Sequence, residues 1–135
     1  FAKKINKPIV IHSRKAEAEC LEILQQELPM NKIAVNLHCF SGKKKLVKKA
    51  VELGYYFSIP PNCVKAQQFQ MIIELTPITQ LLTETDSPWL SHNNERNEPS
   101  NVIESIKVIA KIKNISVEEA SNHIWDNYLQ FLGEK

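Results

Sequence analysis

Residues 33–59, IAVNLHCFSGKKKLVKKAVELGYYFSI, contain the pattern that decides the fold. Residues 33–38 and 55–59 have the length and the β-branched and aromatic content of buried strands. Between them a helix is predicted over about 43–53, and Gly54 is placed to end it. One side of this helix is apolar, with Leu46, Val47, Ala50 and Val51 at helical spacing. Apolar strands joined by a helix predict a parallel sheet that is covered by helices.

The same order of strand and helix occurs four times along the chain. Strands are predicted at 8–12, 33–38, 55–59 and 80–86, and the first three helices at about 15–28, 43–53 and 66–75. A polar loop at 87–98 follows, and a helix starts near Pro99. Ser116 and Glu119 form a capping box for a last helix. Its predicted inward residues are Val117, Ala120, Ile124, Tyr128 and Phe131. A flavodoxin-like open sheet and part of a closed barrel both satisfy this α/β order.

Length and composition restrict the class of protein. The chain has 135 residues, 43% hydrophobic and 24% charged, which predicts one soluble globular domain over 1–135. No apolar run reaches the roughly 20 residues that span a bilayer, so no membrane partner is expected. The three cysteines form no CxxC pair, which favours a reducing cytoplasm over a disulfide framework. The net charge of +2 is too small to indicate nucleic acid by itself, and the lysines at 43–49 are interpreted as a solvated helix face.

Three residues that can bind metal lie at the carboxyl ends of predicted strands: His12, His38 and Asp86. In parallel α/β folds the loops at that edge converge and form the site. Imidazole nitrogen and carboxylate oxygen are ligands for Zn²⁺, Mn²⁺ or similar ions, and such an ion makes a hydroxide nucleophile available at neutral pH. Each residue also has a structural alternative, because a lone histidine is more often packed in a core and an aspartate before Ser-Pro can cap a turn. The pattern leaves both readings open.

Four motifs across nearly the whole chain resemble the TatD family of deoxyribonucleases. They are Ile11-His-Ser-Arg14, His38-Cys-Phe-Ser-Gly42, Glu84-Thr-Asp-Ser-Pro-Trp89 and Arg96-Asn-Glu-Pro99, in the family's order and with suitable spacing. The resemblance implies a (β/α)₈ TIM barrel of the amidohydrolase type with one or two divalent metal ions (Zn, Mn or Mg) and DNA as substrate. It further implies that His12 and His38 are metal ligands on the fifth and sixth strands. Asp86, on the eighth strand, would bind metal and take the proton of the nucleophilic water.

The two arginines of these motifs are ambiguous. Arg96 is a candidate for contacting phosphate. Alternatively, Glu98 fixes that loop through a salt bridge, and this structural role is slightly favoured. Arg14 either binds phosphate or orients a ligand. Trp89 either stacks on a base or packs the loop.

The chain lacks two of the sequence features that are typical of the family. The family begins with a His-x-His pair on its first strand and has a glutamate ligand on its fourth, and neither is present. The first residue, Phe1, is not Met and lies on a predicted short helix, so the chain reads as the C-terminal half of a longer barrel, about four βα units. We therefore expect a fragment that is weak or inactive alone and that associates with the missing N-terminal half or with itself. Two alternatives remain: a hydrolase of another ester or amide, and a non-catalytic half-barrel.

Overall fold

Four parallel strands form one sheet in the order β1-β2-β3-β4 in a computed structural model that describes residues 1–28 and 33–134. The strands are β1 (Ile9–His12), β2 (Val35–His38), β3 (Tyr56–Ile59) and β4 (Leu81–Thr83). The helices are α1 (Ala2–Ile5), α2 (Glu17–Glu27), α3 (Lys44–Glu52), α4 (Gln67–Leu75), α5 (Val102–Lys113) and α6 (Val117–Leu132). Short 3₁₀ turns occupy Pro61–Val64, Ile78–Gln80 and Pro99–Asn101. The predicted alternation of strands and helices is confirmed.

The strand order distinguishes a barrel from an open doubly wound sheet. A flavodoxin-like sheet reverses its strand order at a switch point, so that strands far apart in sequence become neighbours. Here every strand pairs in parallel with the next strand along the chain. This sequential order is that of half of a (β/α)₈ barrel, and it confirms the predicted fold class.

One face of the sheet carries the hydrophobic core. Leu37, Phe57 and Leu81 are register neighbours on β2, β3 and β4, and each is fully buried. The helices cover this outer face with Leu21, Val47, Ile73 and Ile109, which are also fully buried. In α3 the apolar side faces inward as predicted, and Gly54 follows the helix with φ of +75°. Only glycine adopts this left-handed conformation without a steric cost.

The opposite, inner face of the sheet is open. Val10 on β1 is 60% exposed, and a cavity of 450 Å³ lies above the sheet. It is lined by Val10, Asn36, Leu82, Trp125, Tyr128 and Phe131, among others. In a closed barrel this face points toward the barrel axis.

Helix α6 runs past the amino-terminal end of the sheet. The Asn127 Nδ2 group donates to the carbonyl oxygens of Ile78 (2.7 Å) and Leu81 (2.8 Å), where β4 begins. Ser116 caps the helix by accepting from the Glu119 N–H at 3.0 Å, which is the serine half of the predicted capping box. The predicted inward positions of Val117 and Tyr128 are wrong, because these side chains are 43% and 44% exposed. Tyr128 instead borders the open inner cavity. None of the helices described is both long and apolar enough to cross a membrane.

Strand β4 is shorter than predicted. It was expected over 80–86, but it ends at Thr83. The backbone of Glu84 makes one further hydrogen bond to the sheet, because its N–H donates to the Ile59 carbonyl oxygen at 3.2 Å. Asp86 then has a φ of +53°, which no strand residue adopts. The chain therefore turns away from the sheet before Asp86, and this turn decides where the carboxylate goes.

Candidate active site

Two histidines end neighbouring strands on the same edge of the sheet. His12 and His38 are register partners in the parallel pairing of β1 with β2. Parallel partners point to the same face, and the ring centroids lie 5.5 Å apart. Two imidazoles that bind one ion through nitrogen in tetrahedral geometry place their centroids roughly 5 Å apart. The spacing of the two rings fits shared metal binding.

Asp86 reaches the same edge from a turn beyond β4. Its carbonyl oxygen accepts the Trp89 N–H at 2.9 Å, which closes the turn. Aspartate tolerates the left-handed conformation better than most residues. The Asp86 Oδ1 atom lies 3.6 Å from the His38 Nε2 atom. Two ligand atoms about 2.1 Å from one tetrahedral ion are roughly 3.4 Å apart, so this pair fits a common ion.

Glu84 holds the His38 ring from the other side. Its Oε2 atom is 2.5 Å from His38 Nδ1, and it also accepts a hydrogen bond from the Ser58 hydroxyl. Its Oε1 atom accepts from the backbone N–H and the thiol of Cys39, both at 3.0 Å. A hydrogen on Nδ1 leaves the Nε2 lone pair directed at Asp86. This carboxylate–histidine arrangement is the usual support for a metal-binding imidazole.

The polar contacts continue along the inner face. The Asn36 amide donates from Nδ2 to the Ser58 hydroxyl at 3.0 Å, and Asn36 is 6% exposed. Asn36, Ser58 and Glu84 thus form a polar row across β2, β3 and the end of β4. Sequence reasoning assigned no role to these three residues. The sequence does contain a signal for them, because polar residues interrupt otherwise apolar strands. Asn36, for example, lies two residues before His38 on β2.

Cys39 contributes a hydrogen-bond donor to this site. Ligand atoms of His38, Cys39 and Glu84 all lie within 4.8 Å of one another, so this group has metal-binding spacing. However, burial, then the hydrogen bond and charge of Glu84, raise the pKa of the Cys39 thiol well above its usual range. The thiol donates here to Glu84 Oε1. His38 Nδ1 already contacts Glu84 Oε2, which leaves Nε2, on the side of Asp86, as the His38 atom placed to bind a metal.

The two candidate arginines lie on the same edge and keep their charges exposed. Arg14 follows β1, and its charge lies close enough to Cys39 to oppose the increase of that thiol's pKa. Arg96 lies in the loop after β4 and lines a cleft of 600 Å³. Neither arginine forms an ion pair with any residue in the ranges 1–28 and 33–134. Both remain candidates for binding an anionic substrate.

The loop after β4 is fixed by Asn97, a residue of the fourth motif to which sequence reasoning gave no role of its own. Asn97 is 2% exposed, and its Nδ2 group donates to the carbonyl oxygens of Thr85 (2.7 Å) and Trp89 (2.6 Å). The predicted salt bridge of Glu98 is wrong. The Glu98 side chain is exposed and has no ion pair among the described residues, whereas its backbone N–H donates to Asn97 Oδ1 at 3.0 Å. A buried amide with two donors closes this loop more effectively than a solvent-screened ion pair.

Sequential parallel strands, with two imidazoles and a carboxylate gathered at their carboxyl ends, are the arrangement expected of metal-dependent hydrolases built on (β/α)₈ barrels. Comparison with known proteins specifies the family. A family model described as TatD-related DNase matches residues 1–133. The chain belongs to this family.

Individual relatives agree with this assignment. The chain is 38% identical over 131 residues to the deoxyribonuclease TATDN3 of Homo sapiens, covering 96% of this chain and 47% of that protein. It is 36% identical over 132 residues to an uncharacterized metal-dependent hydrolase of Methanocaldococcus jannaschii, covering 97% of this chain and 51% of that protein. A solved TatD-family hydrolase from Entamoeba histolytica has the same fold, with a TM-score of 0.83 and 23% identity. The match covers 96% of this chain and 52% of that one. The chain spans about half the length of the curated relatives it matches.

Proposed function

We propose that the protein containing this chain is a divalent-metal-dependent hydrolase that cleaves phosphodiester bonds of DNA. One observation carries the proposal. His38 directs Nε2 at Asp86 Oδ1 across 3.6 Å, while Glu84 holds Nδ1 at 2.5 Å and His12 lies beside the ring. The DNA substrate is supported by the human relative, which is named a deoxyribonuclease.

His12, His38 and Asp86 are the residues that would hold the metal. When bound there, a divalent ion would lower the pKa of its water to about 7 and so supply a nucleophile at neutral pH. Asp86, at 35% side-chain exposure, is accessible to water and would take the proton of the attacking water at a carboxylate oxygen. The water oxygen would form a bond to phosphorus as the bond to the leaving sugar oxygen breaks, and the proton would pass to that leaving oxygen.

The exposed arginines supply positive charge on the same edge. Arg14 and Arg96 are placed to bind the phosphate groups of the substrate, and a guanidinium matches phosphate geometry in a bidentate manner. Neither charge is neutralised by an ion pair with a described residue. We propose that these two side chains bind substrate and do not orient a ligand.

Hydrolysis assays on the full-length protein test the substrate assignment. With added Mn²⁺, Mg²⁺ or Zn²⁺ we expect faster turnover of single-stranded or duplex DNA than of a phosphotriester, a lactone or an amide. Chelation of the metal is expected to stop the reaction, because the nucleophile depends on it. Faster turnover of a non-nucleotide substrate than of DNA would contradict the proposal and favour another ester or amide as substrate.

We also propose that further βα units cover the open inner face in the working protein. Both β1 and β4 are edge strands, and each has a sheet neighbour on one side only. The 450 Å³ inner cavity carries Trp125, 60% exposed, besides Val10. Open edges and exposed apolar faces favour association. The relatives have about twice the length of this chain, which supports four additional units as the natural partner.

The chain alone is therefore expected to self-associate. In sedimentation velocity we expect a dimer or larger assembly, because the inner face and strand edges are not covered. Val10→Glu places a charge on that face and is expected to shift the distribution toward monomer. Val64→Glu is the matched control, since Val64 is 44% exposed but lies in the turn after β3 and not on the inner face. A wild-type chain that stays monomeric across the concentration range would contradict this proposal.

A further inference from the structure

A second cleft opens on the same edge as the site, between the loops that follow β3 and β4. It has a volume of 600 Å³. The loop after β3 contributes Asn62 and Lys65, and the loop after β4 contributes Trp89, Glu95 and Arg96. Resting on the proposed function, we propose that this cleft binds a single-stranded segment of the nucleic acid next to the scissile bond, with a base stacked on Trp89 and phosphates at Lys65 and Arg96.

Trp89 is held in a fixed position while its ring faces solvent. The residue is 71% exposed, yet both backbone polar groups are used. Its N–H donates to the Asp86 carbonyl oxygen at 2.9 Å, and its carbonyl oxygen accepts from buried Asn97 at 2.6 Å. An exposed indole on an anchored backbone loses little freedom on binding. Aromatic rings of this kind stack with any base, since every base has a π-face.

The position of Trp89 links the cleft to the catalytic edge. Asp86 and Trp89 close one turn, so the indole lies three residues from the proposed catalytic carboxylate. A nucleotide stacked there occupies the position next to the bond that is cut. The cleft therefore continues the site along one strand of substrate.

The charges in the cleft match a phosphate backbone. Lys65 donates from Nζ to the neutral Asn94 Oδ1 atom at 2.5 Å, which joins the two loops but leaves the charge uncompensated. Arg96 has no ion pair among the described residues. Glu95 is the one acidic side chain of the lining, and its Oε2 atom accepts from Asn93 at 2.8 Å. The cleft thus keeps a net charge of one positive unit (Lys65 and Arg96 against Glu95).

Binding and hydrolysis are measured separately in the experiment that tests this cleft. Anisotropy of a fluorescein-labelled single-stranded oligonucleotide is recorded with the full-length protein in EDTA, where cleavage does not occur. Trp89→Ala is expected to weaken binding at least about fivefold, because stacking on one base is lost. Trp89→Phe is the matched control and is expected to retain most of the affinity. When the oligonucleotide is abasic throughout, Trp89→Ala is expected to have no effect.

The salt dependence of the same binding tests the two cations. Lys65→Gln and Arg96→Gln are each expected to reduce the slope of log K against log salt by about 0.7, as for one lost contact with a single strand. Lys48→Gln on α3 is the control, because Lys48 is exposed outside this cleft. An unchanged slope, or an equal loss of affinity for normal and abasic strands in Trp89→Ala, would overturn the proposal. Failure of the wild-type protein to cleave DNA with metal present, while these binding effects persist, would contradict only the proposed hydrolysis.

Discussion

Asp86→Asn in the full-length protein is expected to lower kcat for phosphodiester hydrolysis by about 10²–10⁴-fold, the range typical of a lost general base. The amide keeps the shape of the side chain but cannot take the proton of the attacking water. It also removes a negative charge 3.6 Å from His38 Nε2, so metal affinity is expected to fall as well. Steady-state kinetics and a metal titration by calorimetry measure the two effects.

A matched carboxylate far from the site controls for the loss of charge. Glu22 is exposed on α2, and Glu22→Gln is expected to leave kcat, KM and metal affinity unchanged. The melting temperature of both variants shows whether the fold is kept. If Asp86→Asn retains wild-type kcat at saturating metal, Asp86 does not transfer the proton.

Glu84→Gln is expected to weaken metal binding or activity by about 10–100-fold, as for other carboxylates that support a metal-binding histidine. Glu84 accepts four hydrogen bonds: from His38, from the backbone and thiol of Cys39, and from Ser58. Glutamine has one acceptor oxygen, and its NH₂ group would face at least one of these donors. The His38 ring then loses the partner that keeps its Nε2 lone pair directed at Asp86.

A graded series separates this positioning role from a purely structural one. Ser58→Ala removes one of the four hydrogen bonds without changing charge, so its effect on metal affinity is expected to be smaller than that of Glu84→Gln. Calorimetric metal affinity is the decisive quantity, since a residue that only stabilises the fold would change the unfolding midpoint alone. Metal affinity at the wild-type value in Glu84→Gln would exclude the positioning role.

The placement of the two histidines was predictable because it depends on local rules. Each is the last residue of an apolar strand, and the carboxyl ends of neighbouring parallel strands lie at one edge of the sheet. Asp86 was expected on a strand and instead lies beyond it, where a left-handed turn carries the carboxylate over the site. Strand propensity does not encode such a turn. The strand prediction and the resemblance both placed Asp86 on the strand, whereas the structure places it in the turn beyond, with its carboxylate 3.6 Å from His38 Nε2.

The supporting residues could not be found in the same way. Glu84 and Asp86 are two residues apart in one motif, and no spacing rule tells which carboxylate faces Nδ1 and which faces Nε2. That depends on where the chain leaves β4. Asn97 belongs to the fourth motif, but its structural role was not predicted because a buried asparagine in a polar loop has no periodicity. That role appears only through the carbonyl groups that accept its hydrogen bonds.

The sequence by itself determined the alternation of strands and helices, the buried side of α3 and the edge on which His12 and His38 lie. These follow from periodicity and burial, which act over neighbouring residues. Only the tertiary structure decided that the strands run in sequential order, that α6 borders an open inner face, and that Glu84 orients His38 toward Asp86. Strand neighbours and side-chain pairs depend on contacts between distant segments of the chain. An apolar residue in the sequence indicates burial, but it does not indicate which residues it packs against.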